Sequence, residues 1–230
     1  MHGEDSIEIK QMTAKEEDLL TSRTLLKKGV ALDRVLQSLI IDPRIDADSL
    51  LVGDRNAIII AIRSSAYGNM YETKVTCPGC GVLQEHSFDL NEVTVYDGSD
   101  AAELNVINNH DGTFTTQLPK TEIEVTFKLL DGTDEKSLIN LNNRKKSALF
   151  DNMITTQLSN MVVAVNGDDS TQAVNYLVQN IPSIDSRHIR AAYKLAAPNV
   201  DLTQTFECNE CDYLAEMEVP LSADFFWPER

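Results

Sequence analysis

The chain has 230 residues and a formal net charge of −16, from 20 Lys and Arg against 36 Asp and Glu. That length allows one large domain or two small ones with a buried core, and 42% hydrophobic with 24% charged residues excludes a disordered chain or a fibre. The acidic balance offers no clustered positive field for a phosphate backbone, and the densest apolar run, Ala57 to Ile62, stops at Arg63, far short of the ~20 residues of a membrane helix. Neither nucleic acid nor a membrane is therefore an expected partner.

The first third reads as helical. Thr13-Ala14-Lys15-Glu16 matches a capping box, with Leu19, Leu20, Leu25 and Leu26 following on one face until Gly29 breaks the helix. A second helix is expected from Ala31 to Ile41, with Leu32, Val35, Leu36 and Leu39 as its apolar face. Asp46 or Asp48 offers a cap for a short turn, and Asp54 a cap for a largely buried helix to about Ala66. At Tyr71 the period changes to alternation, and Tyr71 to Thr76 runs into Cys77-Pro78-Gly79-Cys80; Val82 to Leu90 alternates again, which makes a hairpin with Cys-x-x-Cys at its tip. The same order recurs late in the chain, with Val200 to Phe206, then Cys208-Asn209-Glu210-Cys211, then Tyr213 to Val219.

Between the hairpins, 97–112 reads as loop, and 114–118 with 122–130 as a hairpin through Pro119-Lys120 that places Ile123, Val125 and Phe127 on one face. Helices are expected at about 134–143, 147–164, 170–181 and 185–197. The second of these has Phe150, Ile154, Leu158 and Met161 at helical spacing. The expected fold class is α+β. Its parts are an N-terminal helical part (1–69), two zinc-ribbon halves (70–96 and 199–224), an inserted hairpin and helical part (97–198), and an aromatic C-terminal segment (225–230).

Two Cys-x-x-Cys pairs point to a metal. The chain begins MHGEDSIEIK, without the basic start and apolar stretch of a signal peptide, so a cytoplasmic setting is expected, where structural disulfides are disfavoured. Cys77, Cys80, Cys208 and Cys211 are then the ligands of one structural Zn²⁺, because two intervening residues let a tight turn aim both sulfurs at one tetrahedral ion. A redox dithiol is the competing reading, set back by the strands flanking each pair where such thiolates usually meet a helix N-terminus. His86 stands close enough to substitute for a thiol, but four thiols already close a site. No nucleophile lies in a recognisable catalytic setting and no glycine loop suits a phosphate, so neither an enzyme nor a small-molecule substrate is expected.

Three further features bear on partners. Arg144-Lys145-Lys146 is the single basic cluster and reads as a solvated face. Arg55 and Arg63, with Asp54, can set guanidinium groups against carboxylates at an internal or a partner interface, and are candidate partner-binding residues, with a plain surface ion pair as the simpler reading. Phe225, Phe226 and Trp227, the last being the one tryptophan of the chain, must bury themselves on the chain's own core or dock in a partner.

Several of these pieces occur in one order. Thr13-Ala14-Lys15-Glu16-Glu17, Gly53-Asp54-Arg55 with Ile58 to Arg63, Tyr67-Gly68, the first Cys-x-x-Cys, Phe127-Lys128-Leu129-Leu130, Asp185-Ser186, the late Cys-x-x-Cys and Phe225-Phe226-Trp227-Pro228 resemble the T4-type bacteriophage baseplate hub subunit family over about 13–228. The resemblance implies a structural protein needed to build the central part of a contractile-tail baseplate with other tail subunits. It leaves open whether the protein persists in the particle, and the expected reading is a virion subunit assembled in the host cytoplasm. An assembly chaperone absent from the finished particle is the first alternative. A zinc-ribbon regulator of transcription is the second, and it would need a basic face that the sequence lacks.

Overall fold

The computed structural model describes residues 6–145, 153–220 and 223–226, with the side chains at 27, 28, 139–145, 223 and 224 left outside that description. In chain order the elements are α1 (Ala14–Thr21), α2 (Arg23–Lys28), α3 (Ala31–Leu39), α4 (Val52–Tyr67), β1 (Met70–Thr76), β2 (Leu83–Asp89), β3 (Thr94–Tyr96), β4 (Ile107–Asn108), β5 (Thr113–Gln117) and β6 (Glu124–Lys128). There follow α5 (Gly132–Lys145), α6 (Met153–Met161), β7 (Val162–Val165), α7 (Thr171–Asn180), α8 (Ser183–Ala196), β8 (Asn199–Asp201), β9 (Thr203–Glu207) and β10 (Leu214–Glu218), with short 3-10 turns at Ala47–Ser49, Ser99–Leu104 and Ala223–Phe226. This is the α+β composition that the alternation of periods implied. The described residues form two compact units: those of 45–55 with 96–199, and those of 4–44, 56–95 and 200–230.

The first unit is built on the antiparallel sheet β4-β5-β6-β7. Val125 and Phe127 of β6 are fully buried, as alternation required, and pack with Leu118, Leu158, Met161, Leu177 and Ile189, or with Leu129 and Ala192. Asp185 at the start of α8 is also fully buried; its carboxylate accepts the Lys120 and Thr121 amides at 2.9 and 3.1 Å and so fixes the β5–β6 turn. Arg55, expected to face carboxylates at an internal or a partner interface, donates to the Ala47 carbonyl at 2.9 Å inside this unit and reaches Asp48, which Lys136 also pairs at 2.6 Å.

Two expectations change here. The helix expected to run through 164 ends at Met161, and Val162 to Val165 pairs with β6 as a strand. Three β-branched valines cost a helix χ1 freedom but suit a pleated, half-buried edge. The loop expected over 97–112 contains the 3-10 turn and β4. The expected Phe150 and Lys146 lie outside the described residues, and of Arg144 and Lys145 only the backbone, at the end of α5, is described.

In the second unit, the Glu16 carboxylate accepts both the Thr13 amide and hydroxyl, at 3.1 and 2.6 Å, and the expected capping box forms. The single helix expected to Gly29 is two: Thr21 bonds its hydroxyl back to the Glu17 and Asp18 carbonyls, and Ser22 turns extended before α2 begins. The second helix stops at Leu39, because Ile40 leaves it to bridge Ile9. Asp54 falls within the first turn of α4 and not at its cap, since α4 starts at Val52. Val35, Leu36, Leu39, Ile62, Tyr71, Phe88, Phe206 and Phe225 are among the buried side chains of this unit.

Candidate metal centre

Two hairpins position the four cysteines. β1 pairs with β2 from Met70↔Asp89 to Thr76↔Leu83, and β9 pairs with β10 from Thr203↔Glu218 to Glu207↔Leu214, so each pair of strands delivers a Cys-x-x-Cys at its tip. The tips repeat one backbone pattern. The Gly81 amide donates to the Cys77 carbonyl and the Cys77 amide to Val82; the Asp212 amide donates to the Cys208 carbonyl and the Cys208 amide to Tyr213, all at 2.9–3.1 Å. Gly81 and Asp212 occupy the same place in these two turns, and both take the left-handed conformation, with φ of 74° and 53°.

The hairpins are locked side by side by two glutamines standing in for a strand ladder. Gln204 accepts the Asp89 amide at 3.0 Å and donates to the Asp89 carbonyl at 2.8 Å. Gln84 accepts the Asn209 amide and donates to the Glu207 carbonyl, both at 3.1 Å. The Tyr213 ring lies over Gly79, where an added Cβ would come within 2.9 Å of it, so only glycine fits there.

All four sulfurs therefore lie within 4.8 Å of one another, with Cys77 to Cys211 at 3.8 Å and Cys80 to Cys208 at 3.7 Å. A tetrahedral ion with Zn–S bonds of about 2.3 Å sets its ligands about 3.8 Å apart. The donors present thus match a tetrathiolate site in chemistry and in spacing. Cys77 and Cys208 are buried, Cys80 and Cys211 exposed. Their acidities are spread: burial opposes ionisation of Cys77, but the Cys80 and Gly79 amides outweigh it and bring its pKa down to about 7. At Cys211 the Tyr213 amide favours the thiolate, yet burial and the three neighbouring sulfurs push the pKa up to about 12. Crowded thiols can lose all four protons only to a cation, and a divalent one supplies that field.

His86 is not among the clustered ligands. Its ring packs edge-on to Phe88 and Phe206, at 4.6 and 5.3 Å between centroids, and burial lowers its pKa. Arg63 is only 1% exposed and donates to the carbonyls of Phe225, Gly68 and Met70 at 2.7, 3.0 and 3.4 Å, with the rings of Tyr67, Tyr71 and Phe225 around it. Phe225 and Phe226 are buried within the same unit, and Phe225 meets Tyr71 edge-on at 4.9 Å. Packing on the chain's own core is thus what these two phenylalanines do; Trp227 lies outside the described residues. The two glutamines carried no motif in the sequence, and only their register to the strand ends marks them.

The profile of the family described as "T4 bacteriophage base plate protein" matches residues 2–227. This chain belongs to that family. Neither a curated protein nor a solved structure gives a significant match. Membership makes it a structural protein of a phage tail baseplate, and among the described residues no helix is long and apolar enough to cross a membrane.

Proposed function

We propose that this baseplate protein is a subunit of the hub region of a contractile tail, carried in the virion, which acts by binding neighbouring subunits and without catalysis. Its clasp is one Zn²⁺ held by Cys77, Cys80, Cys208 and Cys211, joining the two ribbon halves, 70–96 and 199–224, which the insertion at 97–198 separates in the sequence. The observation that carries the clasp is the set of four sulfurs within 4.8 Å of one another at the tips of two hairpins far apart in the chain. A closed tetrathiolate site leaves no position for water, so the ion contributes folding free energy and no reaction chemistry. The hub assignment is supported by the shared order of motifs along the chain.

Two measurements test this reading. The full chain, purified from cells supplied with zinc, should contain about one zinc per chain, and Cys208→Ser should lose the metal and unfold at lower denaturant. A metal-free chain of undiminished stability overturns the clasp. Mass spectrometry of purified virions should detect the chain at a fixed ratio to other baseplate proteins. Its absence from particles makes it an assembly chaperone instead.

A further inference from the structure

The two metal-binding tips carry a second matched feature. Leu83 follows Cys80 and Leu214 follows Cys211 at the same distance along the chain, and the two leucines are 61% and 64% exposed. Val82 and Tyr213, the residues before them, are also exposed and also equivalent: each lends its carbonyl to the first cysteine of its own turn. The crossed sulfur contacts and the seat of Tyr213 on Gly79 bring all four to one end of the paired hairpins. Single exposed leucines are ordinary, whereas four exposed apolar side chains gathered at one tip mark a contact surface.

The rim of that tip is acidic. Glu85 follows Leu83 on the same strand face, Glu207 stands directly opposite Leu214, and Glu216 follows Leu214 on its face; Glu210 and Asp212 belong to the second turn. All five are exposed, and the stretch from Thr203 to Glu218 contains no Lys or Arg. The one cation of the first hairpin, Lys74, lies across from Glu85.

We propose that this tip docks an apolar segment flanked by Lys or Arg on a neighbouring baseplate protein. The apolar centre supplies burial, and the acidic rim selects the charge of the flanks. A second copy of this chain, with its net charge of −16, meets the rim with like charge, as does an anionic bilayer. The proposal rests on baseplate membership and hairpin geometry and goes beyond the metal reading, whose failure shows separately in the zinc measurement.

The test places p-benzoylphenylalanine at position 83 or 214 of the full chain, with the exposed position 176 as control. Infected cells are irradiated and the attached peptides sequenced. Attachment from 83 and 214, but not 176, to one other baseplate protein, at an apolar segment with adjacent Lys or Arg, is the expected result. With that protein purified, Leu83→Asp with Leu214→Asp should weaken binding about tenfold or more, and Glu207→Gln with Glu210→Gln and Glu216→Gln should weaken it and flatten its salt dependence. Leu83→Ser with Leu214→Ser replaces the aspartates if their thermal unfolding is shifted. Attachment to a second copy, to lipid, to an acidic segment or to nothing overturns the proposal, as does binding indifferent to these substitutions.

Discussion

A buried guanidinium must recover what it loses in leaving water, and Arg63 does so without a carboxylate among the described residues. Three backbone carbonyls take its N–H groups and three aromatic rings face its planar cation, while burial lowers its pKa from the usual value. One of those carbonyls is that of Phe225, so one side chain of α4 ties down the C-terminal segment and, through Gly68 and Met70, the entry to β1. Arg63→Met leaves the buried Phe225 carbonyl without this donor and removes a donor from the carbonyls of the exposed Gly68 and Met70. The expected cost is about 2–4 kcal/mol in urea unfolding, since an orphaned buried group costs roughly 1–3 kcal/mol and the lost cation–ring contacts add to it. Limited proteolysis should also cut the variant near Phe225 and Phe226 sooner than the parent, and Arg63→Lys should fall between, having lost the planar fork but not the charge. Equal protection of that segment in Arg63→Met and the parent would remove Arg63 from the anchoring role.

At the scale of elements, the two Cys-x-x-Cys hairpins were legible because period-2 alternation, a turn and a metal-ligand spacing coincide over a dozen residues. β1 and β2 begin and end within one residue of their expected bounds. The matched tips were legible in part: Gly81 announces a left-handed residue, whereas Asp212, at the equivalent place, announces nothing, although aspartate tolerates that conformation better than most. Two of the misread elements share one cause, which is that tertiary pairing overrode local period. Val162 to Val165 became a strand because β6 offered an edge, and α3 ended early because Ile40 bridges Ile9. Arg55, Arg63, Phe225 and Phe226 were legible as residues needing partners. Whether those partners lay inside the chain was not, because a guanidinium and a phenyl ring are satisfied equally by a core and by an interface.

The net charge of −16 belongs to the whole molecule, and with a sequence pI near 4.5 it relaxes as the solution is acidified. Relief of self-repulsion alone would make the fold more stable toward that pH. Individual groups act against it. The Thr13 hydroxyl bonded to Glu16 holds that carboxyl below its ordinary value of 4.5, Ser99 and Thr113 hold Asp97 and Asp111 below 3.8 in the same manner, and the Ser170 amide, then its hydroxyl, does so for Asp168. Each lowered carboxyl contributes stability that is complete above its unfolded value and is lost as pH falls through the folded one. His86, lowered by burial from 6.5, has the same sign in a higher window: its neutral form suits the fold, and that contribution declines as pH drops below 6.5. Asp54, raised by burial, runs the other way and offsets part of the loss. The urea midpoint should therefore change little between about pH 7 and 5, where His86 opposes the falling charge, and drop steeply below 4.5. Glu16→Gln discriminates among these causes, since glutamine keeps the acceptor of the capping box but has no proton to bind. The variant should lose stability at neutral pH and show a shallower fall below 4.5, the two curves converging in acid. Parallel curves would assign the acid limb to groups other than Glu16.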